Sequence, residues 1–385
     1  MRRALLITPG MLLLLAAVLF FTLSPVVAAR MNPVQTPPPY RVSEPARALH
    51  QRLFVADLHN DLLLWDRDPL ARGTRGHSDL PRLLEGGVGL QVFTAVTQVP
   101  SGQNATHNRA DSDRLTALVM AQRWPPRTWG SRLERALYQA DRLHQAAAAS
   151  GGQLRVVRSR ADLSATPPAA RGQLLAVLGV EGMHAAEGQL AHIDRLHDAG
   201  FRAMGLVHFF DNEVGGSAHG AEQGGLTAFG RQALAHMQQK GMLVDLAHAS
   251  PRLFDDVLAA TKKPVMVSHT GVQATCPGPR NLSDAQLRAV AANGGVVGIA
   301  FFRGAVCGTS VAHIVRAIRH AVQVAGVRHV ALGSDFDGAV RTEFDATGLP
   351  LITQGLLQAG FSEADIAAIM GGNVLRLLRE TLPAD

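Results

Sequence analysis

Six stretches of the chain carry side chains able to bind a cation or move a proton. They are Asp57-Leu58-His59-Asn60-Asp61, Glu181 in Leu178-Gly179-Val180-Glu181-Gly182, His208 after Leu206-Val207, His248 in Asp245-Leu246-Ala247-His248, His269 after Val267-Ser268, and Asp335 in Gly333-Ser334-Asp335-Phe336-Asp337-Gly338. His59 and Asp61 stand two apart, which in a strand turns both to one face. Singly each signal is weak: a polar strand end, a helix-capping Glu181, or a hydrogen-bonded core histidine would read the same. Together His59, Asp61, Glu181, His248 and His269 offer imidazole and carboxylate without sulfur. That set suits zinc, admits manganese or cobalt, and is too rich in imidazole for calcium or magnesium. Five ligands exceed the three a catalytic zinc usually takes, so the expectation is two ions. No lysine ends a strand (Lys262 and Lys263 precede Pro264), which leaves Glu181 as the bridge between them.

Two such ions about 3.5–4 Å apart share a water and lower its pKa toward about 7, supplying hydroxide at neutral pH. Asp335 is the candidate to orient that water, take its proton and deliver it to a leaving amine. His208 is left over from the metal count and can donate to the oxyanion of a tetrahedral intermediate. Arg280, in the Pro/Gly-rich stretch Cys276-Pro277-Gly278-Pro279-Arg280-Asn281, can hold a substrate carboxylate by two parallel hydrogen bonds, although most of the chain's arginines must be ordinary surface residues. Asp337 reads as a turn residue without a role. His219 reads first as a loop hydrogen-bonding residue.

Stepping these residues into register requires a parallel sheet. Short apolar runs at Leu53–Asp57, Val88–Val96, Leu174–Val180, Ala203–Val207, Met242–Leu246, Pro264–Val267, Val296–Phe301 and His329–Leu332 alternate with segments of helical periodicity, among them Leu133–Ala147, Leu190–Ala199, Ala228–Gln239, Pro251–Ala260, Asp284–Ala292 and Val311–Ala325. Leu154–Arg158 reads as an accessory strand or hairpin. Near-continuous apolar strands separated by helices imply α/β architecture, and eight such units predict a (β/α)₈ TIM-type barrel with insertions. Such a barrel collects its chemistry at the carboxyl ends of the strands, where the candidate residues fall. A doubly wound sheet is the alternative, but no Gly-rich phosphate loop opens the first helix.

The chain has 385 residues, 47% hydrophobic and 18% charged, which excludes disordered and coiled-coil classes. Its charge of +6 has no focus, so nucleic acid is not expected as a partner. Arg2 and Arg3, the uncharged stretch Ala4–Ala29 and the small residues Val27-Ala28-Ala29 form the three parts of a signal peptide. A retained signal anchor is the other reading, in which Pro9, Gly10 and Pro25 would weaken the helix. Either way the protein is expected to be exported, periplasmic or membrane-anchored, and to meet a membrane only through this segment if it is uncleaved. Residues 30–44, with four prolines, read as an extended spacer before a single barrel domain over residues 45–385. Cys276 and Cys307 can pair in an oxidising compartment, but two cysteines do not establish proximity.

From Leu53 to Leu378 these motifs resemble the renal (membrane) dipeptidase family, bacterial branch. Besides the stretches above, the resemblance is carried by Gly225-Leu226-Thr227-Ala228-Phe229-Gly230, Gly241-Met242-Leu243-Val244, Arg280-Asn281, Gly371-Gly372-Asn373 and the segment Asp211–His219. It implies a two-zinc barrel hydrolase that cleaves free dipeptides, including those with a D residue second, and some members open β-lactam rings. Carried over, His59 and Asp61 bind one zinc, Glu181 bridges both, and His248 with His269 hold the second. His208 and Arg280 contact substrate, the latter through its terminal carboxylate, and Asp335 handles the proton and the free amino group. The scarcity of cysteine gives no support to a disulfide-linked dimer and leaves a homodimer open. The competing functions are another amide or lactone hydrolase on the same barrel, which would not need Arg280, and a silent binding homologue.

Overall fold

In the computed structural model, residues 9–164 and 172–385 are described; Arg2 and Arg3, and the start of the uncharged stretch, lie outside them. The apolar runs form parallel strands β1 (Val55–Asn60), β2 (Val88–Val96), β3 (Leu154–Val156), β4 (Leu174–Glu181), β5 (Phe201–Gly205), β6 (Leu243–Asp245), β7 (Met266–Thr270), β8 (Val296–Ile299) and β9 (Val330–Leu332). The order β2-β1-β9-β8-β7-β6-β5-β4 closes through β2–β4 pairing, Leu90 opposite Leu175 through Val96 opposite Glu181. The result is the expected closed eight-stranded barrel. β3 is the accessory strand rather than a hairpin: it lies parallel to the start of β4, Leu154 opposite Leu174, on the edge that β5 takes over from Leu178 onward.

Three strands are displaced from the apolar runs: β1 begins two residues late, at Val55, and runs on to Asn60. β5 begins two residues early, at Phe201, and ends at Gly205, so His208 stands on the loop beyond it. β7 begins at Met266 rather than Pro264, since proline has no N–H to give a ladder, and His269 therefore lies within the strand. The β1–β2 register shifts between Asp57 and Asn60, the kind of irregularity that re-aims side chains.

Helices Ala228–Gln239, Pro251–Ala260, Asp284–Ala292 and Val311–Ala325 fall where periodicity places them. Their starts are set locally: Thr227 caps Gly230 N–H, Ser250 caps Leu253 N–H, and Ser283 forms a capping box with Gln286. Val311–Ala325 buries Ile314, Ala317, Ile318 and Ala321 on one face. Each large aliphatic buried there stabilises by about 1.5–3 kcal/mol, so Ile318→Ala would cost about 2–5 kcal/mol. Alternate strand residues Ala56, Leu58, Leu90, Val92, Leu175 and Val177 form a second cluster with Val374, Leu377 and Leu378 of the Asn373–Thr381 helix. Asn373 Nδ2 donates to Val330 O at 2.8 Å, at the start of β9, so this helix seals the amino end of the barrel and leaves the carboxyl end for chemistry.

At the amino terminus one helix, Pro9–Met31, runs unbroken through Pro25. Asn32 ends it with a bond to Ala28 O (3.1 Å) and accepts Ala339 N–H (2.8 Å). The following segment is extended and held: Gln35 N–H donates to Thr342 O (3.0 Å) and Thr36 N–H to Glu343 O (2.9 Å).

Candidate metal centre

Glu181, the last residue of β4, ends among four imidazoles. Its Oε1 lies 3.2 Å from His248 Nε2, 3.4 Å from His269 Nε2 and 3.6 Å from His59 Nε2, and its Oε2 lies 3.3 Å from His208 Nε2. Asp61 and Asp335 reach the same His59 Nε2, at 3.4 and 3.9 Å. The structure thus brings together seven of the eight residues singled out by sequence, all buried. They form three overlapping groups with metal-ligand proximity: His59-Glu181-His269, Glu181-His208-His248 and His59-Asp61-Asp335. His208 and Asp335, which the sequence leaves outside the metal count, lie among the ligand atoms rather than apart from them.

Residues behind this shell set its orientation. Ser268 Oγ lies 3.1 Å from His59 Nδ1 and 2.9 Å from His269 Nδ1. If both rings donate to that hydroxyl, both Nε2 lone pairs face Glu181, the tautomer a metal requires. Thr94 Oγ1 donates to Asp61. Asp57 accepts from Ser334 N–H (2.6 Å) and Oγ–H (2.7 Å), tying β1 to the residue before Asp335. Asp245 accepts Ala247 N–H (2.9 Å) and Ser268 N–H (2.8 Å), joining the ends of β6 and β7 where His248 and His269 stand. His248 and Asp335 have left-handed backbone, φ 63° and 62°, at a cost of order 1 kcal/mol or more each. Gly182, at φ 95°, turns the chain directly after Glu181, where a Cβ would strike the His184 ring.

Charge in this cluster is unbalanced by protein alone. Burial pushes the Glu181 carboxyl well above its usual range, and burial pushes Asp335 up to about 8. Burial opposes charge on His59, yet Asp61, Glu181 and Asp335 outweigh it and push that imidazole up to about 10. His208, His248 and His269 are driven well below the histidine range, first by burial and then by neighbouring cations and imidazoles. Three carboxylates faced by one cationic ring, His59, and three neutral imidazoles are costly to bury without a further cation. The donor set fits a metal: nitrogen and oxygen only, ligand atoms convergent, orienting bonds in place.

A cavity of about 970 Å³ opens over the cluster, lined on its polar floor by the site residues other than His59, with Arg280 and His219. Its apolar wall includes Trp65, Leu115 and Leu118, and Phe20, Leu23 and Val27 of the Pro9–Met31 helix. Arg280 is partly buried and donates through Nη2 to His269 O. Cys276 and Cys307 form a disulfide that closes the segment containing Arg280, deciding the pairing left open by sequence. Asp337, read as a turn residue, is fully buried and accepts from His77 N–H (2.9 Å), Ser78 N–H (3.1 Å) and Ser78 Oγ–H (2.6 Å), with Arg67 2.7 Å away. It clamps the loop after β1 to the loop after β9. Sequence reasoning had a signal for Asp57, Ser268 and Asp337, which stand beside candidate positions in the motifs, though not for the role of Asp337, whose partners are remote in the chain; for Thr94 it had none.

Comparison with known proteins agrees with this geometry. A family model described as membrane dipeptidase, peptidase family M19, matches residues 43–384. The chain is 29% identical over 355 residues to dipeptidase aclJ of Aspergillus oryzae, covering 87% of this chain and 79% of the relative. It is 31% identical over 342 residues to an uncharacterised dipeptidase of Schizosaccharomyces pombe, covering 86% and 78%. A solved metallopeptidase from Rhodobacter sphaeroides, liganded with a phosphinate mimic of the dipeptide L-Ala-D-Ala, superposes with a TM-score of 0.71 at 27% identity over 86% of this chain and 99% of that one. A barrel with a convergent metal-binding donor set, a match along nearly its whole length and dipeptidase relatives place this chain in the membrane dipeptidase family, peptidase family M19, as a metallo-dipeptidase.

Proposed function

We propose that the centre holds two zinc ions and hydrolyses free dipeptides, including L-Xaa-D-Xaa. His59 and Asp61 would hold one ion, His248 and His269 the other, and Glu181 both. The observation that carries this is Glu181 itself, a buried carboxylate whose two oxygens lie within 3.6 Å of four imidazole nitrogens. When bound, the ions lower the pKa of an attacking water and polarise the scissile carbonyl. Arg280 binds the substrate's terminal carboxylate, which selects short peptides with a free carboxyl end. Asp335 takes the proton of the attacking water and passes it to the departing amine, a task served by a carboxyl whose burial lifts it toward neutrality. His208 donates from its ring to the developing oxyanion. Support for a D residue in second position is the L-Ala-D-Ala mimic bound by the Rhodobacter sphaeroides relative.

Export, to the periplasm or with the helix as an anchor, belongs to the same proposal and rests on the leader-like amino terminus. Cleavage after Ala29 would leave Asn32 in place against Ala339. Mass spectrometry of the mature amino terminus tests it. Function is tested by metal analysis and a panel of L,L and L,D dipeptides, with and without chelator, followed by zinc restoration. Two zincs per chain and chelator-sensitive turnover are expected; an active metal-free enzyme would refute the reading.

A further inference from the structure

His219 lies on the loop between β5 and β6, and only one edge of its ring is accounted for. Nδ1 is 2.7 Å from Ala105 O. A carbonyl can only accept, so Nδ1 carries the proton. Nε2, across the ring, is buried without a partner among the described residues, in a residue only 4% exposed that lines the cavity. With the ring proton held at Nδ1 by that carbonyl, the neutral imidazole presents Nε2 as an acceptor. An orphan acceptor of this kind costs about 1–3 kcal/mol unless something donates to it.

The surroundings say which part of a substrate that is. The His219 ring stands 5.2 Å from His248, His248 stands 5.0 Å from His269, and Arg280 donates to His269 O. Asp61 and Asp335 gather instead around His59. His219 therefore belongs to the Arg280 side, where the carboxyl-terminal residue of a dipeptide would lie. The loop is held there rather than free to turn away: Asn108 N–H and Nδ2 both donate to His219 O at 2.9 Å.

We propose that His219 is a specificity-determining residue whose Nε2 accepts a hydrogen bond from the side chain of the substrate's carboxyl-terminal residue, favouring Ser, Thr, Asn or Gln at that position. This rests on the dipeptidase reading of the site. The isosteric peptides L-Ala-L-Thr and L-Ala-L-Val differ in that donor alone. The wild-type kcat/KM should favour the threonine peptide by about threefold to tenfold, the worth of one hydrogen bond. In His219→Phe the ratio should fall toward one. His219→Gln, which can donate to Ala105 and still accept from substrate, should restore a preference. A wild-type ratio near one overturns the assignment without needing any variant, as does an unchanged ratio in His219→Phe; both leave the dipeptidase reading standing. Turnover of no dipeptide by the zinc-loaded wild type would overturn both.

Discussion

His248 Nε2 and His269 Nε2 lie 3.2 Å apart, from two neighbouring strand ends, with Glu181 Oε1 within 3.4 Å of each. Two imidazole nitrogens and a carboxylate oxygen cannot all be satisfied by one proton, whereas a shared cation satisfies all three. Glu181→Gln keeps the size but weakens the ligand on both sides of the cluster. It should lower bound metal measurably and turnover by a hundredfold or more, read by elemental analysis and dipeptide hydrolysis of the same sample. Full metal content with full turnover would remove Glu181 from its central place.

Arg280→Met removes the carboxylate-binding group while keeping much of its volume. KM for dipeptides should rise about tenfold to a hundredfold, the worth of a charge-assisted pair. Arg280→Lys should recover only part, because an ammonium lacks the planar fork. Unchanged KM would favour a lactone or other amide substrate without a free carboxylate.

The Cys276–Cys307 disulfide spans 31 positions of sequence and encloses Arg280. By chain entropy such a loop contributes about 3–4 kcal/mol to stability. The Cys276→Ser, Cys307→Ser double variant should melt earlier and show a raised KM. A lower melting temperature with KM unmoved would confine the bridge to stability.

Asp337 lies in a buried network with Arg67, His77 and Ser78. Burial would raise its carboxyl, but Arg67 and His77 outweigh burial and hold it below the usual range. Asp337→Ala leaves the Arg67 charge without its partner and should destabilise by about 3 kcal/mol. Denaturant unfolding measures this; a loss under 1 kcal/mol would show the clamp to be dispensable.

His184 is buried with neither ring nitrogen partnered among the described residues, and burial, then Arg132 and Arg135, push it down to about 3. Between pH 6.5 and 3 the unfolded chain therefore binds a proton that the folded protein refuses, and stability falls as pH falls through that window. His184→Leu removes this contribution. Its stability should decline less than that of the wild type between pH 6.5 and 4, and parallel declines would count against it.

Much of this architecture could be read from the chain alone. Near-continuous apolar runs such as Leu174–Val180 are buried on both faces where they pair, so composition and period suffice to place strands, and Ser250 or Ser283 suffices to start a helix. His59, Glu181, His248 and His269 were legible because a closed parallel barrel delivers strand ends to one rim. What needed three dimensions was everything set by partners distant in sequence: Asp57 with Ser334, Asp337 with His77, Cys276 with Cys307, and the lone nitrogen of His219. A hydrogen bond or disulfide depends on ångström-scale approach of two atoms, and no local pattern encodes that distance. The sequence determined which chemistry could assemble; packing of the closed barrel decided which atoms face one another.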